Sequence, residues 1–245
     1  MNFHSDDFGY NEANDLELLK LLESDKLQSV SVLATMVKSS SLKELKNLHK
    51  TKKFRIGLHF NIIEGKSLSP PELIPSLVSH KGTFFPLYHL FFNILSGRLE
   101  PTDVATELER QLTYLKEYDL PVSLIDSHQH THALSPVAEV VMKMAEKHEL
   151  HDIRPYQHIK THSMTAAVKY TVLKSMASLS HLATYDRFSL PASWTSESMQ
   201  EYSFMSWESS SFDIINKGSK NIWYVVHPGL GYDTNKTYES YFASG

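Results

Sequence analysis

Short runs rich in Val, Leu and Ile alternate along this chain with stretches of amphipathic helical periodicity, and several of the runs end in Asp or His. Met1–His4 is a brief extended start followed at once by Ser5-Asp6-Asp7-Phe8-Gly9. Asn11–Glu23 carries leucines at helical spacing, Leu27–Thr35 reads as a strand, Ser41–Lys50 as a helix and Phe54–Phe60 as a strand. Strand, helix, strand, helix, strand in that order predicts parallel β/α units. Pro101–Tyr118 is a further helix, with Pro near its start and Val104, Leu108, Leu112 and Leu115 on one stripe. Val122–Ile125 reads as a buried strand, Ser135–Glu149 as a helix, Asp152–Arg154 as a short strand and Asn221–Val226 as another buried strand. Between 160 and 220 the pattern is weakest, with helical stretches near 163–180 and 208–217 and a polar aromatic loop around Trp194. A chain of 245 residues suits one α/β barrel or two small domains; with no repeat and no linker visible, we read residues 1–245 as a single domain.

Residues 64–99 depart from the β/α rhythm. Pro70, Pro71, Pro75, Gly82 and Pro86 break regular structure, and aromatics crowd Phe84–Phe92. Two readings stand: an excursion over the strand ends that serves as lid or groove, and a satellite cluster of core aromatics.

Ile125-Asp126-Ser127-His128-Gln129-His130-Thr131-His132 holds the densest concentration of chemistry. If the strand continued through it, His128, His130 and His132 would project to one side. Imidazole carries two polar nitrogens that need partners when buried, and it is the commonest side-chain metal ligand. A solvated His-rich turn is the plain alternative. With no cysteine in the chain, disulfides and thiolate zinc sites are excluded, so a metal would need His and carboxylate ligands. The formal charge of -4 is spread along the sequence without a Lys/Arg block, which argues against a nucleic-acid partner. No run is long and apolar enough to span a bilayer, and the expected location is cytoplasmic.

Asp6-Asp7, His59, His128 and His227 each fall at the C-terminal end of an expected strand. Taken singly they have ordinary explanations: a capped turn for Asp-Asp-Phe-Gly, a core histidine for Gly-Leu-His59, a strand-ending turn for His227-Pro228-Gly229. In a parallel β/α barrel, however, those strand ends meet on one face, where active sites are built.

Ser5-Asp6-Asp7-Phe8-Gly9, Gly57-Leu58-His59-Phe60, Asp126-Ser127-His128-Gln129-His130-Thr131-His132 and His227-Pro228-Gly229 together resemble, in order and approximate spacing, the motifs of the YdjC/ChbG family of carbohydrate deacetylases. The resemblance implies a distorted, TIM-like β/α barrel of the polysaccharide-deacetylase type and a hydrolase that removes acetyl from N-acetylated mono- or oligosaccharides. It implies one divalent metal ion, magnesium or zinc, held by Asp7, His59 and His128, with Asp6 as general base and His227 as general acid. His130, His132, Arg154 and Asn14 would be substrate-facing or support the site from behind. Relatives usually carry a longer first strand and continue past residue 245 with another helix. Tyr238–Gly245 reads as the start of that helix, so a truncated or short form is expected.

The residue types suit that chemistry. One carboxylate and two imidazoles leave positions open on a cation, as catalytic sites require. A metal-activated water needs a base, and an amine leaving group needs a proton. Other readings are a metal-dependent phosphoester or other amide hydrolase on the same barrel, and a non-catalytic sugar-binding module. No basic cluster flanks the motifs to clamp a phosphate, and a pure binder has no use for Asp6 and His227. The expected partner is a small N-acetylated saccharide, and the aromatic excursion leaves a homodimer open.

Overall fold

The computed structural model describes residues 2–150, 152–154, 203–206 and 222–228. Its centre is a seven-stranded, wholly parallel sheet in the order β5-β4-β3-β2-β1-β7-β6. The strands are β1 (Asn2–Phe8), β2 (Ser29–Val32), β3 (Arg55–Phe60), β4 (Val122–Ser127), β5 (Asp152–Ile153), β6 (Ser203–Ser206) and β7 (Ile222–Val226). Read from β1 outwards, the strands follow chain order on one side, and the last strand closes onto the first on the other. That is the order of a β/α barrel, here an α/β half-barrel of curled parallel sheet joined at every step except between β5 and β6 among the described strands. The helical stretches expected near 163–180 and 208–217, the loop around Trp194 and the segment Tyr238–Gly245 lie outside the described residues.

Helices alternate with the strands because their sequences bury one stripe and cap their own ends. In α1 (Glu12–Glu23) the Asn11 side chain accepts the Asn14 backbone N–H, and Leu18, Leu21 and Leu22 face inward. The helix α2 (Ser39–Thr51) buries Leu42 and Leu45, and α4 (Pro101–Glu117) buries Val104, Leu108, Leu112 and Leu115, the stripe expected from its spacing. Val137, Val140, Val141 and Met144 form the inward face of α5 (Val137–Lys147), which packs beside α4. All of β2 and all but the first residue of β3 are buried, as central parallel strands covered on both faces must be.

Two expectations are corrected. The first strand does not stop at His4 but runs through both acids to Phe8, and at seven residues it is longer than its neighbours β2, with four, and β7, with five. Residues 64–99 also contain a regular element, α3 (Leu87–Leu95), which starts directly after Pro86. Proline lacks the N–H that the first turn leaves unused, so it opens a helix as readily as it breaks one. Leu90 and Phe91 of α3 are buried together with Ile74, Leu77, Val78 and Phe84, which favours the satellite-core reading, while Tyr88, Phe92 and Leu95 stay exposed.

Buried polar groups fasten this excursion to α4. Glu107, fully buried, accepts the backbone N–H groups of Leu68 and Ser69 at 3.1 and 3.0 Å and the side-chain amide of Gln111 at 2.8 Å. Gln111 in turn donates to the carbonyl of Asn61 at the end of β3, and Asp103 accepts the Ser76 N–H. Replacing Glu107 by leucine strands the buried Ser69 N–H and the half-buried Leu68 N–H, an unsatisfied buried donor costing about 1–3 kcal/mol. Glu107→Leu is expected to lower stability by roughly 3 kcal/mol, read as a lower urea midpoint at unchanged slope.

Candidate metal centre

Neighbouring residues on a strand face opposite ways, so two adjacent acids do not ordinarily serve one site. Here the β1–β2 register shifts between Ser5 and Phe8, and Asp7 adopts a left-handed backbone with φ of 64°. The bulge re-aims Asp7 and lets both carboxylates enter the same buried cluster. Asn14, one turn into α1 and fully buried, donates its side-chain amide to the Asp7 carbonyl at 2.8 Å, and the Tyr10 N–H reaches the same oxygen at 3.0 Å. Asn14 is thus a backbone clasp behind Asp7, not a surface residue.

Asp7, His59 and His128 form one group whose nitrogen and oxygen donors all lie within 4.8 Å of one another. His59 Nε2 stands 3.2 Å and His128 Nδ1 3.1 Å from Asp7 Oδ1. With metal–ligand bonds of about 2.1 Å, neighbouring ligand atoms are separated by roughly 3.0–3.4 Å, so these spacings suit a shared ion. Each imidazole also has its far nitrogen on a carboxylate: His59 Nδ1 on Asp126 Oδ1 at 2.7 Å, His128 Nε2 on Glu64 Oε2 at 3.0 Å. Such partners fix ring orientation and tautomer in metal sites. Burial opposes charge on His59, but Asp126 and Asp7 outweigh it and hold its pKa well above the ordinary histidine value. The Asp7 carboxyl, which burial alone would raise, is held far below the usual range by the charge of His59 and hydrogen bonds from His128 and His59. The pocket therefore favours positive charge at this point, which a proton or a divalent ion can supply. The donor set fits a metal.

Asp6 occupies the adjacent position. Arg154, at the end of β5, places Nη1 2.6 and 2.7 Å from its two oxygens, and His4 Nε2 lies 3.1 Å away. Burial would raise this carboxyl, but Arg154 and His4 keep it well below the usual range, so it is ionised at neutral pH. His4, Asp6 and Asp126 also lie close enough to suggest a second ion, but the Arg154 guanidinium already supplies the cation there, 3.4 Å from Asp126. His227, directly after β7, is half-buried with Nε2 3.8 Å from Asp6 Oδ2.

The three histidines do not share a face. β4 ends at Ser127, and His128–Ala133 folds into tight 3-10 turns with Gln129 and His130 at φ of 50° and 60°. Only His128 joins the metal group. His132 is buried in the opposite role: Nδ1 meets the Ser127 hydroxyl and Nε2 donates to the Arg154 carbonyl at 3.0 Å, tying the end of β4 to that of β5. His130 is half-buried, its ring centroid 6.4 Å from that of His132. Sequence reasoning assigned no role to Asp126, Glu64 or His4. Asp126 stood within the quoted His-rich stretch, two residues before His128, and a carboxylate there was the available signal.

A profile of the YdjC-like protein family matches residues 2–242. The chain belongs to the YdjC-like family. Among its curated relatives, a carbohydrate deacetylase of Geobacillus stearothermophilus is 28% identical over 161 residues, covering 66% of this chain and 61% of that protein. One from Clostridium beijerinckii is 26% identical, over 64% of this chain and 59% of that protein, and one from Danio rerio is 35% identical, over 55% and 42%. The matched stretch spans about three fifths or less of these relatives' length. A crystal structure from Enterococcus faecalis V583, provisionally described as a cellobiose-phosphate cleavage protein, superposes with a TM-score of 0.57 at 18% identity, covering 92% of this chain and 80% of that one. It shares the fold of this YdjC-like chain.

Two measurements probe the geometry. Asp126→Asn weakens the carboxylate behind His59 and is expected to reduce affinity for Co²⁺ about 10–100-fold in a spectroscopic titration. His132 is held neutral: burial, then the nearby Arg154 charge, lower its pKa to about 4. As pH falls below about 6.5 the unfolded chain takes up this proton before the folded one, so stability present at neutral pH is lost towards pH 4. Between pH 7 and pH 4 the stability advantage of the native protein over His132→Gln should shrink by about 3 kcal/mol, measured by denaturant unfolding at each pH.

Proposed function

We propose that this protein is a metal-dependent carbohydrate N-deacetylase, releasing acetate from a small N-acetylated saccharide and leaving an amino sugar. The observation that carries the reading is the meeting of Asp6, Asp7, His59, His128 and His227 at neighbouring strand ends, in a chain whose family relatives are named carbohydrate deacetylases. In this proposal residues 1–245 form one catalytic domain acting in the cytoplasm. Asp7, His59 and His128 hold the divalent ion, with magnesium and zinc the candidates. The ion supplies Lewis acidity, making water a better nucleophile and an amide carbonyl a better electrophile.

Asp6 accepts the proton of the attacking water. Its ion pair with Arg154 keeps it ionised and aimed, at the cost of lower basicity, so it suits a water already made more acidic. His227 stands across from it, less buried than the ligands, where it can protonate the departing nitrogen; without that proton an amine is a poor leaving group. Arg154 is spent on Asp6 and Asp126 inside the protein, which speaks against its serving as a phosphate clamp and so against a phosphoesterase. His132 and Asn14 support the site from behind, through the backbone of Arg154 and of Asp7.

The test is acetate release from N-acetylglucosamine and N,N'-diacetylchitobiose by metal-stripped protein given back zinc, magnesium or cobalt. Metal-dependent release is expected. Asp6→Asn should lower it at least about 10³-fold while binding metal normally, and His227→Ala about 10²–10⁴-fold. Protein that binds no divalent ion, or an Asp6→Asn variant as active as the native enzyme, would sink the proposal.

A further inference from the structure

Behind the metal group, and in contact with the proposed base, lies a fully buried imidazole, that of His4. His4 precedes Asp6 by two residues on β1 and shares its face. Its Nε2 lies 2.9 Å from Asp126 Oδ2 and 3.1 Å from Asp6 Oδ1, between two carboxylates that would otherwise repel. Its Nδ1 lies 2.8 Å from the hydroxyl of Ser29, the residue in register with it on β2. Ser31, two residues further on the same face of β2, donates to Asp126 Oδ2 at 2.8 Å. Room for that hydroxyl is made by Gly57, in register with Ser31 on β3, where an added Cβ would lie 2.6 Å from Ser31 Oγ and 2.5 Å from Leu124 Cδ1.

We propose that His4 is a positioning residue whose Nε2–H bridges Asp6 and Asp126, so that the proposed base and the carboxylate behind ligand His59 are held in one fixed arrangement. The inference rests on the roles assigned above to Asp6, Asp7, His59 and His128. Carboxylates surrounded by donors act as acceptors: Arg154 donates to Asp6, and Ser31 and His59 donate to Asp126. The nitrogen between them must therefore carry hydrogen. The Ser29 hydroxyl beside Nδ1 can donate or accept, so it is compatible with that form without selecting it. Arg154 spans the same two carboxylates from β5, but at 3.4 Å from Asp126 it leaves the close contact to His4. A chain of contacts thus runs from Asp6 through His4 and Asp126 to His59 and on to Asp7. Loss of the bridge should disturb metal affinity and turnover together, without touching substrate.

The experiment compares the native protein with His4→Gln and His4→Leu. Glutamine places an amide N–H near the position of Nε2 and should keep kcat and Co²⁺ affinity within about three-fold of native. Leucine removes the donor and should lower both about 10–100-fold, with KM changed less than two-fold. In the native zinc-loaded protein, long-range ¹H–¹⁵N correlations of the His4 ring should show the Nε2–H form. A leucine variant with native kcat and Co²⁺ affinity, glutamine as impaired as leucine when both unfold at the native midpoint, or an Nδ1–H ring would each overturn the proposal. If leucine does not fold, the ring spectrum and the glutamine variant decide. Should the native protein release no acetate from any sugar, the deacetylase reading fails, while the ring spectrum and Co²⁺ affinities still judge His4.

Discussion

Taking a charge out of water costs several kcal/mol even after the surroundings relax, and this fold does so with three carboxylates in one cluster. Asp6, Asp7 and Asp126 are all buried at the C-terminal ends of β1 and β4. The surrounding design can be read as the answer to that cost. Arg154 arrives from β5, His59 from β3 and His128 from the turn after β4, each bringing a donor or a positive charge to a particular oxygen. Even groups that touch no carboxylate serve the arrangement: His132 holds the Arg154 backbone, and Asn14 holds that of Asp7. Removing one member leaves an uncompensated charge, so these residues are tied together more tightly than their separate contacts suggest.

The legible part of the molecule was its rhythm. Apolar runs and leucine stripes placed most of the described strands and helices near their observed bounds, because burial on both faces of a parallel strand and on one face of a helix leaves a plain periodic trace; the four-residue β6 and the helix α3 were not read from it. The meeting of Asp6, Asp7, His59, His128 and His227 was legible for a related reason: parallel strands bring their ends to one face. What escaped was local backbone chemistry. Nothing periodic announces the left-handed Asp7 or the turns at Gln129 and His130, and so the three histidines looked like one row. Pro86 looked like an interruption and is the start of a helix. Asp126, Glu64 and His4 escaped because their roles are pairwise and long-range: His4 meets Asp126 across 122 positions of chain.

The excursion at 64–99 is joined to the site by Glu64, whose carboxylate backs His128 while its backbone is pinned by Asn61 at the end of β3. Asn61 is itself held by Gln111 of α4. The segment that departs from the β/α rhythm is thus continuous, through hydrogen bonds, with both the metal group and the outer helix layer.

The place of β1 in the sheet has a consequence for how the protein is made. Its partners are β2, which follows it immediately, and β7, which follows only near residue 226; the Ser5 hydroxyl bonds the Val226 carbonyl across 221 positions. At ribosomal rates of about 5–20 residues per second, one edge of the strand that carries both acids waits roughly ten to forty seconds for its neighbour. During that interval the nascent chain presents an unpaired strand edge to its surroundings, and His227 has not yet emerged. Asp7, His59 and His128 are all made by residue 128, but the pairing of β1 with β7 and the approach of His227 to Asp6 come only as a late, long-range event, whose slowness is set by topology.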